Sequence, residues 1–209
     1  MASHSETLFE YPAARHTHRH GPGGYKNHED YKPWLRDEFT FTCAYCLVRE
    51  RWQRGGHRHF SVEHVAPQST SPHRKTDYTN LIYAGVDCNS LRQDRPVLDP
   101  FSAVFAAHLR VMADGKMEGL SAVGKAHIAV LRLDSEELTE YRKQILETAR
   151  LIEQDTGASA LSLLYRWLGF PDDLPNLAAK RPPGGNTSPK AARNCYYLQR
   201  QNGNLPDHY

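Results

Sequence analysis

The sequence has no run of 18 or more apolar residues, and this lack excludes a membrane-spanning helix of ordinary length. The first ten residues also lack the basic stretch and following apolar run of a secretory signal. Cysteine is scarce, with four among 209 residues, too few for a dense disulfide framework. We therefore predict a cytoplasmic protein with no membrane partner, whose cysteines stay reduced and bind metal.

The sequence also lacks a large excess of either positive or negative charge, because its net charge is only +2. With 39% hydrophobic residues, this balance excludes a disordered acidic protein, and the collagen repeat and the rod-like coiled coil are absent. The charge is nevertheless uneven: residues 43–96 and 176–209 are basic, whereas residues 134–155 are acidic. This pattern fits a phosphate-binding face, although ordinary surface charge also produces it.

Hydrophobic spacing predicts a mixture of short strands and helices, with turn signals between them. The expected elements are a helix over 31–41, a strand near 60–62, either a second strand or a strand-to-helix junction over 80–84, a helix over 88–93, a hairpin turn at Asp114-Gly115, and helices over 134–154 and 158–168. Residues 176–209 are rich in proline, glycine and asparagine, so they are predicted to be loosely structured.

Residue types that carry metal or acid–base chemistry are concentrated between residues 43 and 92. In chain order they are the pair Cys43 and Cys46, the pair Glu63 and His64, Asn80, and the pair Cys88 and Asn89. A CxxC spacing directs two thiolates at one tetrahedral metal ion. Considered alone, His64 would be interpreted as an ordinary core or surface residue, and Asn80 and Asn89 as caps of a turn and of a helix. Their order and spacing together indicate one site.

The stretch from Cys43 to Arg92 resembles the HNH endonuclease family, whose motif runs CxxC, acid–His, Asn-Leu and CxxC-Asn-x2-Lys. The resemblance implies an α+β fold, in which a ββα-metal nuclease core follows an N-terminal lead-in and precedes a mainly helical accessory region. The flanking stretches Tyr31–Phe39 and Leu98–Pro100 are similar to small bacterial HNH proteins of Septu and retron anti-phage defence systems. That similarity implies a nuclease effector with an ATPase partner.

This resemblance divides the chain into four consecutive segments. They are a flexible arm over 1–30, the HNH nuclease core over 31–97, the helical accessory region over 98–175, and the basic, loosely structured tail over 176–209. The accessory helices are expected to cover the core, and the alternative is that they form a docking face for a partner ATPase or for an oligomer.

The resemblance also implies a role for each matching residue. His64 would be the general base that takes a proton from water, while Glu63 and Asn89 would hold a single Mg²⁺ or Mn²⁺ ion. Asn80 would fix the loop that orients His64. The substrate would be double-stranded DNA, cut to leave a 5′-phosphate and a 3′-hydroxyl. The residues expected to contact its backbone are Arg92, Arg49, Arg51, Arg54 and Lys75.

Two positions depart from the family pattern. Gly85 stands where the zinc-binding version of the family carries its third cysteine. Arg92 stands where the family has a lysine, so a planar guanidinium group replaces an ammonium group. A structural zinc would then need a fourth ligand, and the alternative is that the three thiols pack as small apolar groups. The candidates for that ligand are His57, His59 and Asp87, while Cys195 is expected to be an unrelated free thiol.

Two further functions remain open. One is a non-catalytic zinc-knuckle module that binds nucleic acid or a partner protein, although such a module would not need Glu63, His64 and Asn89 together. The other is a redox protein that uses Cys43 and Cys46, which the lack of a surrounding βαβ pattern disfavours.

Overall fold

The chain is α+β in the computed structural model, which describes residues 7–154 and 157–209. It forms two compact units. The helical unit comprises Met1–His16 and Ser90–Trp167. The cysteine unit comprises Thr17–Asn89 and Leu168–Tyr209, and this unit contains all four cysteines. Each unit joins distant parts of the chain, unlike the four consecutive segments that the sequence predicts. No helix within the described ranges is long and apolar enough to cross a bilayer.

The cysteine unit contains a helix, an antiparallel strand pair and the first residues of the helix that follows the pair. The elements are α1 (Lys32–Glu38), β1 (Phe60–His64), β2 (Leu81–Gly85) and α2 (Val86–Arg92). Phe60 pairs with Gly85 and His64 with Leu81. Aromatic and β-branched residues favour this pairing, and the rings of Phe60 and Tyr83 stack with centroids 4.9 Å apart. The predicted helix before the cysteines, the first strand and the helix after the second strand are confirmed, and the structure shows a strand at the segment for which two alternatives were open.

Asp37 and Glu38, at the end of α1, bind residues that the sequence analysis assigned to a flexible arm. The backbone N–H groups of Arg19 and His20 donate to the Glu38 carboxylate at 2.7 and 2.9 Å. Nε2 of His20 also lies 2.8 Å from Oδ1 of Asp37, and both side chains are buried. This part of the arm is therefore packed, because its polar groups find partners in two adjacent carboxylates.

The segment over 176–209 is also packed, in contrast to its predicted loose structure. It carries α6 (Pro189–Ala192) and α7 (Tyr196–Gln201), and a backbone bridge joins Asn186 to Pro22. Its aromatic residues join an apolar cluster, whose members are Phe41, Phe170, Leu174, Tyr196, Tyr197, Leu205 and Tyr209. Burial of these rings outweighs the turn-forming composition on which the prediction relied.

The helical unit contains a hairpin and the longer helices. Its elements are β3 (Leu109–Val111), β4 (Met117–Gly119), α3 (Ala122–Leu131), α4 (Glu136–Gln154) and α5 (Ala158–Leu168). The turn predicted at Asp114-Gly115 is confirmed, and Gly115 has a φ of +84°, which other residues rarely adopt. The predicted helix α4 buries Ile145 and Ala149, and its buried Arg142 donates to the Gly115 carbonyl at 2.7 Å.

Candidate metal and histidine site

The end of β1 carries the acid–histidine pair that the sequence singles out. Glu63 and His64 lie opposite Ile82 and Leu81 of β2, and both are buried. Because successive side chains of a strand point to opposite faces, Glu63 shares its face with Ser61. In an extended strand, the Cα atoms of two such residues are about 7 Å apart.

The side-chain amide of Asn89, in α2, lies against the same strand. Its Nδ2 donates to Oγ of Ser61 at 2.8 Å and to the carbonyl oxygen of Val62 at 3.5 Å. A carbonyl oxygen only accepts, so the amide nitrogen must face β1 and the amide oxygen must point elsewhere. Within the described part of the chain, Oδ1 of Asn89 accepts no hydrogen bond.

Glu63 and Asn89 therefore offer two oxygen donors on one side of β1. Carboxylate and amide oxygens suit a hard divalent cation such as Mg²⁺, which keeps several waters and needs only one or two protein ligands. The amide oxygen of Asn89 has its acceptor capacity available for such an ion. The donor set thus fits the cation that the HNH resemblance implies.

The imidazole of His64 is held through both ring nitrogens. Nε2 lies 2.9 Å from the carbonyl oxygen of Lys75, and Nδ1 lies 3.2 Å from the amide nitrogen of Gln68. Since the Lys75 carbonyl accepts, Nε2 carries the hydrogen of the neutral ring and Nδ1 carries the lone pair. The ring of His28 packs edge-on against the His64 ring, with centroids 4.8 Å apart. A neutral imidazole in this tautomer can accept a proton at Nδ1.

Asn80 joins the two ends of the loop that follows His64. Its buried side chain accepts from the Ala66 N–H at 2.7 Å, and it donates to the carbonyls of Ala66 at 3.1 Å and Arg74 at 3.3 Å. The loop between these contacts runs to Lys75, whose carbonyl holds His64. Asn80 thus ties together the two ends of this loop.

Three thiols form a second group in the cysteine unit. The sulfur atoms of Cys43, Cys46 and Cys88 lie within 4.8 Å of one another, and all three residues are buried. The backbone N–H groups of Gly85 and Tyr45 donate to Sγ of Cys43 at 3.2 and 3.4 Å. Clustered thiolates are typical ligands of soft or borderline metal ions, so this group could hold one.

None of the expected fourth ligands joins the three thiols. In the ranges 7–154 and 157–209, no histidine, carboxylate or further cysteine lies within 4.8 Å of all three sulfur atoms. His57 instead binds Asp173 through Nδ1 at 2.9 Å, and His59 and Asp87 are exposed. Cys195 is buried outside the group. The structure therefore places none of these candidate fourth ligands in the group with the three thiols.

The three thiols differ in acidity. Burial acts to raise the pKa of Cys43, but hydrogen bonds from the thiols of Cys46 and Cys88 outweigh it and hold the pKa well below its usual value. The hydrogen bond with Cys43 correspondingly raises the pKa of Cys46 and that of Cys88 well above the usual value.

The basic residues expected at a DNA backbone fall into different environments. Arg54 and Lys75 are exposed. Arg51 is ion-paired with Asp172 at 2.9 Å, and Arg92 is only 3% exposed. Only the first two side chains are therefore placed for an unobstructed contact with a phosphate.

Arg49 is buried among aromatic rings. Its guanidinium carbon lies 5.0 Å from the ring centroid of Trp52 and 4.6 Å from that of Tyr209, and Nη1 donates to the carbonyl of Leu168 at 3.5 Å. Burial lowers the pKa of Arg49 to about 10. The structure does not support the expected backbone contact of Arg49 or of Arg92, because neither cation is exposed.

Three residues at the site escaped the sequence analysis. Ser61 precedes Glu63 by two positions, so strand alternation alone could have placed it on the same face. Gln68 carries no signal in the sequence, and His28 lies in the segment assigned to the arm. Each is identified by its contact with Asn89 or His64.

No protein-family model matches the chain, and no curated protein matches its sequence. Function is therefore inferred from the residues and contacts of the site, above all those of Glu63, His64, Asn80 and Asn89.

Proposed function

We propose that this chain is a metal-dependent endonuclease of the HNH type, which hydrolyses phosphodiester bonds of double-stranded DNA. The supporting observation is the arrangement around β1. The amide of Asn89 lies against Ser61 on the Glu63 side of the strand, and His64 follows directly with its Nδ1 lone pair defined.

His64 acts as the general base. Imidazole titrates near neutral pH, so its neutral form is available to take a proton from the attacking water at Nδ1. The hydrogen on Nε2 stays bonded to the Lys75 carbonyl, which stabilises the imidazolium ring that results. The amide of Gln68 stands in front of Nδ1, and because Gln68 is exposed it can turn away to admit that water.

Glu63 and Asn89 hold one divalent cation, Mg²⁺ or Mn²⁺, through their side-chain oxygens. When bound, that cation supplies a Lewis acid that stabilises negative charge on the phosphate and the leaving oxygen. The carboxylate of Glu63 is buried, which limits competition from water and from solution ions.

DNA affinity comes from exposed cations of the cysteine unit. Lys75 belongs to the loop that holds His64, and Arg54 lies shortly before β1. Such contacts position the phosphate backbone without reading the base sequence, and they make binding sensitive to salt. The resemblance of the flanking stretches supports the further proposal of an anti-phage effector that works with an ATPase partner.

A non-catalytic zinc-knuckle module is the second candidate, supported by the cluster of Cys43, Cys46 and Cys88. A three-thiol zinc site would stabilise the fold next to α2 in either case. The nuclease is preferred because a binding module has no use for the aligned imidazole of His64 or for the loop bonds of Asn80.

Incubation of supercoiled plasmid with the protein separates the two candidates. A nuclease nicks or linearises the plasmid in Mg²⁺ or Mn²⁺, stops when EDTA is added, and leaves nicks that DNA ligase reseals directly, since their ends are 5′-phosphate and 3′-hydroxyl. A protein that retards plasmid in a gel without cutting it in either metal would favour the binding module. Cleavage that continues unchanged in EDTA would contradict metal dependence.

A further inference from the structure

The amide of Asn89 can be useful to a cation in only one of its two orientations. Its oxygen is a metal ligand and its nitrogen is not, while the torsion that exchanges the two is soft. Something in the protein must therefore set the direction of this side chain. In the structure, the two acceptors that receive Nδ2 are Oγ of Ser61 at 2.8 Å and the Val62 carbonyl at 3.5 Å.

The Ser61 contact is the dominant one. A distance of 2.8 Å lies in the optimum range for a hydrogen bond, whereas 3.5 Å lies at its outer limit, where the interaction is weak. The Val62 carbonyl also belongs to the backbone of β1, so it is present whatever side chain stands at position 61. The hydroxyl of Ser61 is thus the part of this arrangement that a substitution can remove.

The position of Ser61 relates it to the second oxygen donor. Ser61 and Glu63 are two residues apart in β1, so their side chains lie on the same face of the strand. One strand therefore supplies both a carboxylate and the hydroxyl that orients the amide of Asn89. A rigid strand fixes these two side chains relative to each other more tightly than a loop would.

We propose that Ser61 is a positioning residue, which turns the amide oxygen of Asn89 toward the cation that Asn89 shares with Glu63. This inference rests on the proposed function. Loss of the Ser61 hydroxyl frees the amide to rotate, so that its nitrogen faces the cation for part of the time. Groups that orient a metal ligand in this way commonly change metal affinity by roughly 10–100-fold when removed.

The test measures Mn²⁺ binding to the full-length protein without DNA, by the loss of the free-ion signal in electron paramagnetic resonance. Ser61→Thr keeps a hydroxyl, and Ser61→Val has nearly the same shape with a methyl group in its place, so the hydroxyl is the group in which the two variants differ. Both side chains suit a strand, and thermal unfolding verifies that both variants fold. Ser90→Ala removes an exposed hydroxyl beside Asn89 and serves as the control.

We expect Ser61→Val to weaken Mn²⁺ binding about tenfold or more, with Ser61→Thr within about threefold of the wild type and Ser90→Ala unchanged. Equal Mn²⁺ affinity of Ser61→Val and Ser61→Thr would overturn the role of Ser61, whether both bind normally or both bind weakly. Asn89→Ala separates this failure from that of the proposed function. If Asn89→Ala loses Mn²⁺ binding while Ser61→Val keeps it, only the positioning role is wrong; if Asn89→Ala binds Mn²⁺ normally, the proposed metal site itself is wrong.

Discussion

The side-chain amide of Asn80 bonds to both backbone polar groups of Ala66, accepting from its N–H at 2.7 Å and donating to its carbonyl at 3.1 Å. This two-point contact fixes the chain two residues after His64. A third bond, to the carbonyl of Arg74 at 3.3 Å, fixes the loop just before Lys75. The residue that precedes β2 thereby determines where the Lys75 carbonyl meets the imidazole of His64.

Asn80→Ala is expected to lower both stability and activity. The variant loses three hydrogen bonds of a fully buried side chain and leaves the N–H and carbonyl groups of Ala66 without that partner, which costs roughly 1–3 kcal/mol of unfolding free energy. Urea unfolding measures this change. Asn27→Ala removes only an exposed helix cap and should cost about 1 kcal/mol or less. An Asn80→Ala protein as stable as the wild type would show that the loop is held by other contacts.

The burial of Arg49 leads to a second prediction, which separates structural from DNA-binding cations. Arg49→Ala should destabilise the fold, because it removes a cation packed on the rings of Trp52 and Tyr209. Lys75→Ala should leave stability nearly unchanged but weaken DNA binding and reduce its dependence on salt by about one counterion.

Thermal unfolding and DNA binding across a salt series measure both effects. Arg54→Ala provides a second exposed cation for comparison. If Arg49→Ala folds normally and shows the same loss of salt dependence as Lys75→Ala, then Arg49 reaches DNA after all, and the buried position does not represent the protein in solution.

Gly85 is the position at which a fourth thiol would reach the cysteine cluster. A Cβ atom placed there would lie 3.9 Å from Sγ of Cys43, an ordinary contact distance, so a side chain fits. We expect Gly85→Cys to raise the affinity for Zn²⁺, because it completes a four-thiolate site.

Competition with a chromophoric zinc chelator measures that affinity, and Co²⁺ substitution reports the added thiolate through stronger sulfur-to-metal absorption. Gly85→Ser is the matched control, since its side chain has a similar size but is a poor zinc ligand. Identical Zn²⁺ affinities of the cysteine and serine variants would mean that position 85 does not face the metal.

Asp77 gives the stability a dependence on acidic pH. Burial acts to raise the pKa of Asp77, but hydrogen bonds from Thr79 and Arg74 outweigh it and leave the pKa below its usual value. A carboxyl group whose pKa is lower in the folded state stabilises the fold above its unfolded pKa, and the contribution disappears as pH falls through the folded value.

Wild type should therefore exceed Asp77→Asn in unfolding free energy at pH 7, by roughly 0.5 kcal/mol for a partly exposed group, with the difference vanishing near pH 2. Urea unfolding of both proteins at several pH values measures it. A difference between the two proteins that stays constant from pH 7 to pH 2 would show that the charge of Asp77 contributes nothing.

The sequence could predict the centre of the cysteine unit because the information there is local. A strand ending in Glu63 and His64, a second strand after Asn80 and a helix carrying Asn89 all follow from short patterns. The burial of His20 could not be predicted in the same way, because it depends on Asp37 and Glu38 of a different segment.

Burial of cations and of tail residues lies beyond local patterns for the same reason. Charge counting assigned Arg49 to the surface, whereas its environment is set by Tyr209, 160 positions further along the chain. Likewise, the packing of Tyr196 depends on Phe41. His57 and Asp87 lie near the cysteines in sequence, but the structure does not place either residue in the cluster of three thiols.

The most direct test of the central claim is the rate of plasmid cleavage by His64→Ala in Mg²⁺, compared with His73→Ala, which removes an exposed histidine from the adjoining loop. We predict that His64→Ala cleaves about 10²–10⁴-fold more slowly while it still folds and binds DNA, because only the proton acceptor is lost. His73→Ala should cleave like the wild type. Cleavage by His64→Ala at the wild-type rate would contradict the assignment of His64 as the base and, with it, the proposed hydrolytic site.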